Sequence, residues 1–118
     1  MMLAVLELVP QIQKRQAMLE VLRFVAERVK ANPECLHCGV FEEATGAQRV
    51  VYVEEWRSAK DLHAHLQSGL YSKLLHAMEL ACEEPRIRFH EVSETRSMDL
   101  ITQVRSQQRR AVIGTLEK

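Results

Sequence analysis

The middle of the chain carries an acidic, aromatic and imidazole side chain close together in sequence. His65 lies nine residues after Trp56, and Glu54 and Tyr52 precede that tryptophan at steps of two. An imidazole accepts a proton near neutral pH, and a carboxylate within hydrogen-bond reach stabilises the imidazolium that results. The ring of Trp56 can stack on a flat substrate. These residues predict proton transfer from the hydroxyl of a small aromatic molecule, with His65 as the general base.

A strand and a helix are expected to position these side chains. Residues 50–55 are mostly β-branched, aromatic or charged, which is typical of a strand that ends at Trp56. Side chains two apart in a strand leave the same face, so Tyr52 and Glu54 should lie beside that ring. Ser58, followed three residues later by an aspartate, is a good helix N-cap. The spacing therefore predicts a helix over 58–66 that brings His65 close to the end of the strand.

Tyr71 is the last candidate for substrate binding. It follows a break at Ser68-Gly69, and we expect it to close the mouth of a pocket whose walls are Trp56 and His65. The alternative is structural, because a tryptophan at a strand end is most often a core or interface residue. A lone histidine beside an apolar face is likewise more often a satisfied structural residue.

The spacing of the cysteines and histidines does not bring three side chains together to bind a metal ion. Cys35 and Cys38 form a C-x-x-C pattern, but a strand is expected there, and side chains three apart in a strand point to opposite faces. With Cys82 the chain has three cysteines, and a small odd number argues against a disulfide framework. His63 and His65 are two apart on a helix and diverge, with His63 toward water. The sequence predicts no metal site and ordinary half-buried thiols.

The periodicity along the chain predicts one α+β domain. Strands are expected over 3–9, 36–43, 48–56 and 86–92, and helices over 11–30, 58–66 and 70–82. Residues 44–47 form a turn in which Gly46 is free to take positive φ. The order β-α-β-β-α-β is that of the ferredoxin-like fold, with a four-stranded antiparallel sheet. Ile87 and Phe89 are expected to face inward, and a further amphipathic helix is expected over 98–109.

The bulk composition excludes several classes of protein. Sixteen basic residues balance sixteen acidic ones among 118, so no overall charge favours nucleic acid or an anionic membrane. No apolar run approaches the ~20 residues needed to span a bilayer, and the N-terminal segment lacks the basic start of a signal peptide. We therefore expect a cytoplasmic protein. One face of the sheet, with Phe41, Val51 and Val53, is apolar enough to predict a homodimer.

A family resemblance rests on the same central stretch. The sequence follows the pattern E-x-W-x-S-x(n)-L-x-x-H-L-x-S at seven positions: Glu54, Trp56, Ser58, Leu62, His65, Leu66 and Ser68, with Glu55 at the position between the first two. The resemblance extends to residues 32–36 and 85–92, so that it covers roughly residues 2–96. On these residues the chain resembles the antibiotic biosynthesis monooxygenase (ABM) domain family. Glu55 departs from the pattern, since a β-branched apolar residue is commoner there.

The resemblance implies a dimeric ferredoxin-like α+β barrel over residues 1–96. The family pattern ends past Glu94, and residues 97–118 are expected to form either a solvated tail or a helix that packs on the dimer partner. It also implies a monooxygenase that uses no cofactor and lets an electron-rich, quinol-like substrate reduce oxygen. The sequence leaves open whether the chain is an enzyme, and the alternative is a non-catalytic small-molecule binding or regulatory module. Heme degradation is disfavoured, because Leu75 stands where a heme-ligating histidine is expected and His76 is one residue out of register.

Overall fold

A computed structural model describes residues 1–46 and 48–116 of the chain, which form four strands and four helices. In chain order they are β1 (Met2–Leu8), α1 (Arg15–Lys30), β2 (Cys35–Glu42), β3 (Val50–Trp56), α2 (Ala59–Leu66), α3 (Tyr71–Glu79), β4 (Arg86–Glu91) and α4 (Met98–Leu116). Ala47 of the predicted turn and residues 117 and 118 of the predicted tail lie outside the described residues. Gly46 has a φ of 85°, which confirms the expected conformation.

The strands form one antiparallel sheet in the order β2-β3-β1-β4. This is the ferredoxin-like arrangement that the element order predicted, with β1 and β3 at the centre. Helices cover one face only. Alternate residues of the two central strands face this layer and are buried: Ala4, Leu6, Leu8, Val50, Tyr52, Glu54 and Trp56. Since α1, α2 and α3 each bury an apolar stripe against the sheet, the core lies between these two layers.

Both long helical segments are shorter than predicted, for one shared reason. The expected helix over 11–30 begins at Arg15, and the expected helix over 70–82 ends at Glu79. Between these ends the backbone of Gln11 donates to Leu80 O at 3.0 Å, and that of Cys82 donates to Val9 O at 2.9 Å. These long-range hydrogen bonds replace helical ones, which apolar periodicity alone does not reveal.

In the edge strand β4, Ile87 and Phe89 face the helix layer as predicted, but they are not buried. Ile87 pairs with Leu6 and Phe89 pairs with Ala4, so both side chains leave the helix-covered face of the sheet. They nevertheless remain 37% and 43% exposed, because the helices do not extend over this edge. Beyond it, the predicted helix over 98–109 is longer and ends at Leu116. Among the described residues, no helix has the length and apolar character to cross a membrane.

Candidate functional site

A buried carboxylate is the centre of the site. Glu54 is 1% exposed on the helix-covered face of β3. Its Oε1 accepts a hydrogen bond from Trp56 Nε1 at 2.9 Å, and its Oε2 accepts one from the Tyr52 hydroxyl at 2.5 Å. His65 Nε2 lies 2.8 Å from the same Oε2. Three side chains therefore converge on one carboxylate, and an ionised carboxylate is suited to accept from all of them.

Local sequence explains why these four groups meet. The two-residue repeat of β3 places three of them on one face, and α2 supplies the fourth. Ser58 is extended and its Oγ accepts from the backbone N–H of Asp61 at 3.2 Å, so the predicted N-cap of α2 is confirmed. Starting at this cap, α2 directs His65 toward the sheet and leaves His63 exposed, as predicted.

Aromatic rings enclose the imidazole. The Trp56 ring centroid lies 4.9 Å from that of His65 with a 31° tilt, and the Tyr71 ring meets His65 edge-on at 5.3 Å. Burial raises the pKa of Tyr71, and the nearby Glu54 charge raises it further. The pKa of Tyr52 is raised by the same two causes in the same order. Both phenols therefore stay protonated over the physiological range, and the Tyr52 hydroxyl donates to Glu54.

Cys38 is a member of the network that sequence reasoning missed. Its Sγ donates to the Tyr52 hydroxyl at 3.4 Å, so that the thiol, the phenol and the Glu54 carboxylate form one chain of donors. Burial raises the pKa of this thiol to about 12, although its hydrogen bond with Tyr52 opposes the change. The thiol is therefore a neutral donor and a poor nucleophile.

The prediction that Cys35 and Cys38 point to opposite faces is wrong. The pairing of β2 with β3 shifts between Cys35 and His37, so Leu36 is an extra residue in the strand. Cys35 then pairs with Trp56, and both thiols pack against the core while Leu36 is exposed. Both cysteines are half-buried, as predicted. Among residues 1–46 and 48–116, no group of three or more metal-ligating side chains is close enough to hold a metal ion.

Two cavities adjoin the network and differ greatly in size. A cavity of about 10 Å³ lies between Tyr52, Glu54, Tyr71 and Ile87. It is about the size of one water and too small for any aromatic molecule. A cleft of about 250 Å³ is lined by residues of α1, β3, α2 and the loop after it: Arg28, Val29, Asn32, Trp56, Asp61, Ala64, His65, Ser68 and Leu70. Tyr71 therefore does not close the larger space, whereas Trp56 and His65 line it.

The His65 ring lines this cleft, while its Nε2 is engaged with Glu54. No described group is within hydrogen-bond reach of Nδ1, yet no buried side-chain nitrogen or oxygen of the described residues lacks a partner. Nδ1 is therefore not completely buried, although the side chain as a whole is only 4% exposed, and the cleft is the space that the ring lines. With Nε2–H donated to Glu54, Nδ1 carries the lone pair. This is the arrangement of a general base whose tautomer a carboxylate fixes.

A larger open groove of about 490 Å³ runs between α1 and α3. Its lining includes Phe24 and Lys73, and the Arg28 guanidinium stacks on the Phe24 ring at 3.4 Å. It contains none of the predicted site residues. Its size therefore does not make it the better candidate, since the convergent polar groups lie elsewhere.

Comparisons with known proteins give a consistent result. Residues 1–77 match the family model described as antibiotic biosynthesis monooxygenase. A candidate antibiotic biosynthesis monooxygenase from Nitrosomonas europaea is 18% identical, with a TM-score of 0.71 over 80% of this chain and 100% of its own. Corresponding candidates from Deinococcus radiodurans and Caulobacter crescentus CB15 are 18% and 24% identical. Their TM-scores are 0.73 and 0.70, over 82% and 79% of this chain and 97% and 90% of their own. No curated protein sequence matches. At these identities the solved structures establish the fold.

Proposed function

Since the chain belongs to the antibiotic biosynthesis monooxygenase family, we propose that it is a cytoplasmic, homodimeric monooxygenase. Its substrate is a small aromatic, quinol-like molecule, which it oxidises with molecular oxygen and without a bound cofactor. The observation that carries the proposal is the Glu54–His65 pair at the wall of the 250 Å³ cleft. An engineered cavity of about 150 Å³ accommodates benzene, so this cleft has room for a small aromatic ring.

In the proposed mechanism the substrate hydroxyl lies against His65 Nδ1 and the substrate ring lies against Trp56. The imidazole takes the hydroxyl proton, and the Glu54 carboxylate, which accepts the Nε2–H bond, stabilises the imidazolium. Tyr52 and Trp56 hold the carboxylate in place through their own hydrogen bonds. Tyr71 acts as a positioning residue, because its ring packs edge-on against the imidazole.

The substrate anion then supplies the electrons. It reduces dioxygen, and a carbon–oxygen bond forms at an electron-rich ring carbon. When that carbon loses its proton and the oxygen–oxygen bond breaks, one oxygen atom stays in the product as a carbonyl and the other leaves as water. The four electrons that dioxygen accepts come from the substrate, so no external reductant is needed.

Oxygen consumption with a panel of naphthols, naphthoquinols and anthrones tests the proposal. Replacing His65 by glutamine should lower kcat/KM by roughly 10²–10⁴-fold, the usual contribution of one general base. His63→Gln is the matched control, because that histidine is exposed on the same helix and should leave kcat/KM unchanged. Trp56→Phe should mainly raise KM, since it removes stacking area from the cleft.

Two results would contradict the proposal in different ways. Equal rates for the parent and a correctly folded His65→Gln variant would remove the imidazole from the mechanism. If the parent turned over no substrate but bound the same aromatic molecules, the protein would instead be a binding or regulatory module.

A further inference from the structure

The C-terminal helix stands apart from the rest of the molecule. α4 has 19 residues, or ~28 Å of helix, and among the described residues it makes no extended packing contact with another strand or helix. The radius of gyration is 19.3 Å, whereas a compact chain of this length has one of about 13–14 Å. In proteins most of the stability of a helix comes from packing its apolar face against another surface. α4 therefore needs a surface to pack on.

An apolar stripe on α4 is the side that needs covering. Three neighbouring side chains on one side of the helix are about half exposed: Leu100, Ile101 and Val104. Arg105 and Arg109 follow at helical spacings that place them along one border of this stripe. The stripe is thus apolar in its middle and basic at one border.

The chain also contains a surface of matching character. The helix-facing side of β4 exposes Ile87 and Phe89, and Leu75 of α3, one turn after Tyr71, is 50% exposed. We name these three residues the β4 face. Beside it, the end of α3 and the connection to β4 expose an acidic group that consists of Glu79, Glu83 and Glu84. An apolar stripe bordered by arginines complements an apolar face bordered by carboxylates.

In the structure α4 does not pack on its own β4 face, and its start is held by hydrogen bonds of its own. Arg96 Nε donates to Asp99 Oδ2 at 2.8 Å, and the same guanidinium donates to Gln103 Oε1 at 2.9 Å. Ser97 N–H donates to Asp99 Oδ1 at 3.0 Å. These contacts are local to residues 96–103, and α4 extends from them without packing on the sheet. A second copy of the chain, by contrast, offers the same β4 face in trans.

We propose that α4 of each copy packs on the β4 face of a second copy, in a reciprocal exchange of helices. Leu100, Ile101 and Val104 cover Ile87, Phe89 and Leu75, and the arginines of α4 meet the acidic group. Because Ile87 also lines the 10 Å³ cavity beside Glu54, the partner's helix closes that side of the buried network. The proposal concerns assembly and goes beyond the proposed chemistry, which can fail without affecting it.

Cross-linking between two tagged populations tests this contact. Both carry Cys82→Ser, which removes the exposed native thiol. One population carries Phe89→Cys and an affinity tag; the other carries Val104→Cys and no tag. After the two are unfolded and refolded together, a short bismaleimide should give a covalent dimer of twice 13.6 kDa that contains both chains. Ser106→Cys, on the opposite side of α4, is the matched control and should give at least tenfold less product.

The same reagents give outcomes that overturn the proposal. A chain that carries both Phe89→Cys and Val104→Cys and cross-links to itself without a change of mass would place α4 on its own β4 face. Equal yields for Val104→Cys and Ser106→Cys, or no product from either, would show that the stripe does not dock there. The paired charges add a second readout, because Arg105→Glu with Arg109→Glu should lower the yield and Glu83→Lys with Glu84→Lys should restore it.

Discussion

A single buried carboxylate organises the candidate site at the scale of residues. Burying an ionised group is unfavourable unless hydrogen bonds replace its lost hydration. Glu54 has three such partners, and two of them, Tyr52 and Trp56, come from its own strand. The third, His65, is therefore the only one of the three that reaches the carboxylate from a helix. The network accordingly links the sheet to α2 as well as orienting the imidazole.

Replacing Glu54 should test how much the network stabilises the fold. Glu54→Leu leaves the phenol, the indole N–H and the imidazole without their acceptor, and should lower the free energy of unfolding by about 3–5 kcal/mol. Glu54→Gln should lower it by about 1–3 kcal/mol, because the phenol and the imidazole can each turn to accept a hydrogen bond. Urea denaturation measures both. Glu55→Gln, on the opposite face of β3, is the control, and an equal loss there would refute the special role of Glu54.

The raised pKa values in the network predict a loss of stability in alkali. Burial raises the pKa of Cys38 from 9.0 to about 12, so between those values the unfolded chain releases a proton that the folded chain keeps. The unfolded state then binds fewer protons, and the free energy of unfolding falls as pH rises. The raised pKa of Tyr52 acts in the same direction above pH 10.0. Below pH 9.0 neither group makes the free energy of unfolding depend on pH.

Urea denaturation from pH 8 to 11 checks this expectation. Cys38→Ala should make the decline above pH 9 less steep than in the parent, although it also removes a contact at every pH. Cys82→Ala, at an exposed position, should leave the slope unchanged. An identical slope in the Cys38→Ala variant would contradict the assignment.

At the scale of elements, the start of α2 determines where His65 lies. The Ser58 side chain satisfies the backbone N–H of Asp61 and donates to its carboxylate at 2.6 Å. Ser58→Ala should therefore lower the free energy of unfolding by about 1 kcal/mol, the usual contribution of an N-cap. Lys60→Ala, exposed on the same helix, should change it by less than about 0.5 kcal/mol. Thermal unfolding of both variants decides the matter, and equal effects would mean that the cap is not what stabilises α2.

The sequence was enough to predict β3 and the start of α2, but not the directions in which the side chains of β2 point. Alternation in Tyr52, Glu54 and Trp56 and the capping pattern at Ser58 are local signals, and both predictions are confirmed. The extra residue at Leu36 is not local, because it is defined by how β2 pairs with β3. For this reason the positions of Cys35 and Cys38, and with them the thiol that bonds Tyr52, could not be predicted. The position of Tyr71 at the smaller cavity depends on tertiary packing in the same way.

At the scale of the whole molecule, the helices cover one face of the sheet and leave the other bare. In the pairing of the strands, Val53 lies opposite Val5 on one side and Gly39 on the other, and Val51 lies opposite Phe41. The Phe41 ring lies against Gly39, where a Cβ would come within 2.8 Å of it, so the ring extends this apolar surface toward the β2 edge. The β4 side of the same face is polar, with an ion pair of 3.8 Å between Arg86 and Glu7. An apolar centre with a charged border is the pattern expected of an interface.

We therefore expect two copies to pack through these bare faces, and a charge at their centre should separate them. In the dimer, the carboxylate of Val53→Glu would be buried without a hydrogen-bond or charge partner. In the monomer, the same carboxylate would be exposed to water. A penalty of about 3 kcal/mol or more corresponds to at least a 100-fold weaker dimer. In sedimentation equilibrium at micromolar concentration, the parent should have twice the 13.6 kDa mass of one chain and the variant should approach 13.6 kDa. Gln13→Glu, exposed before α1, is the control for added charge. A parent that sediments as a monomer, or a Val53→Glu variant that stays as dimeric as the control, would show that this face is not where the copies meet.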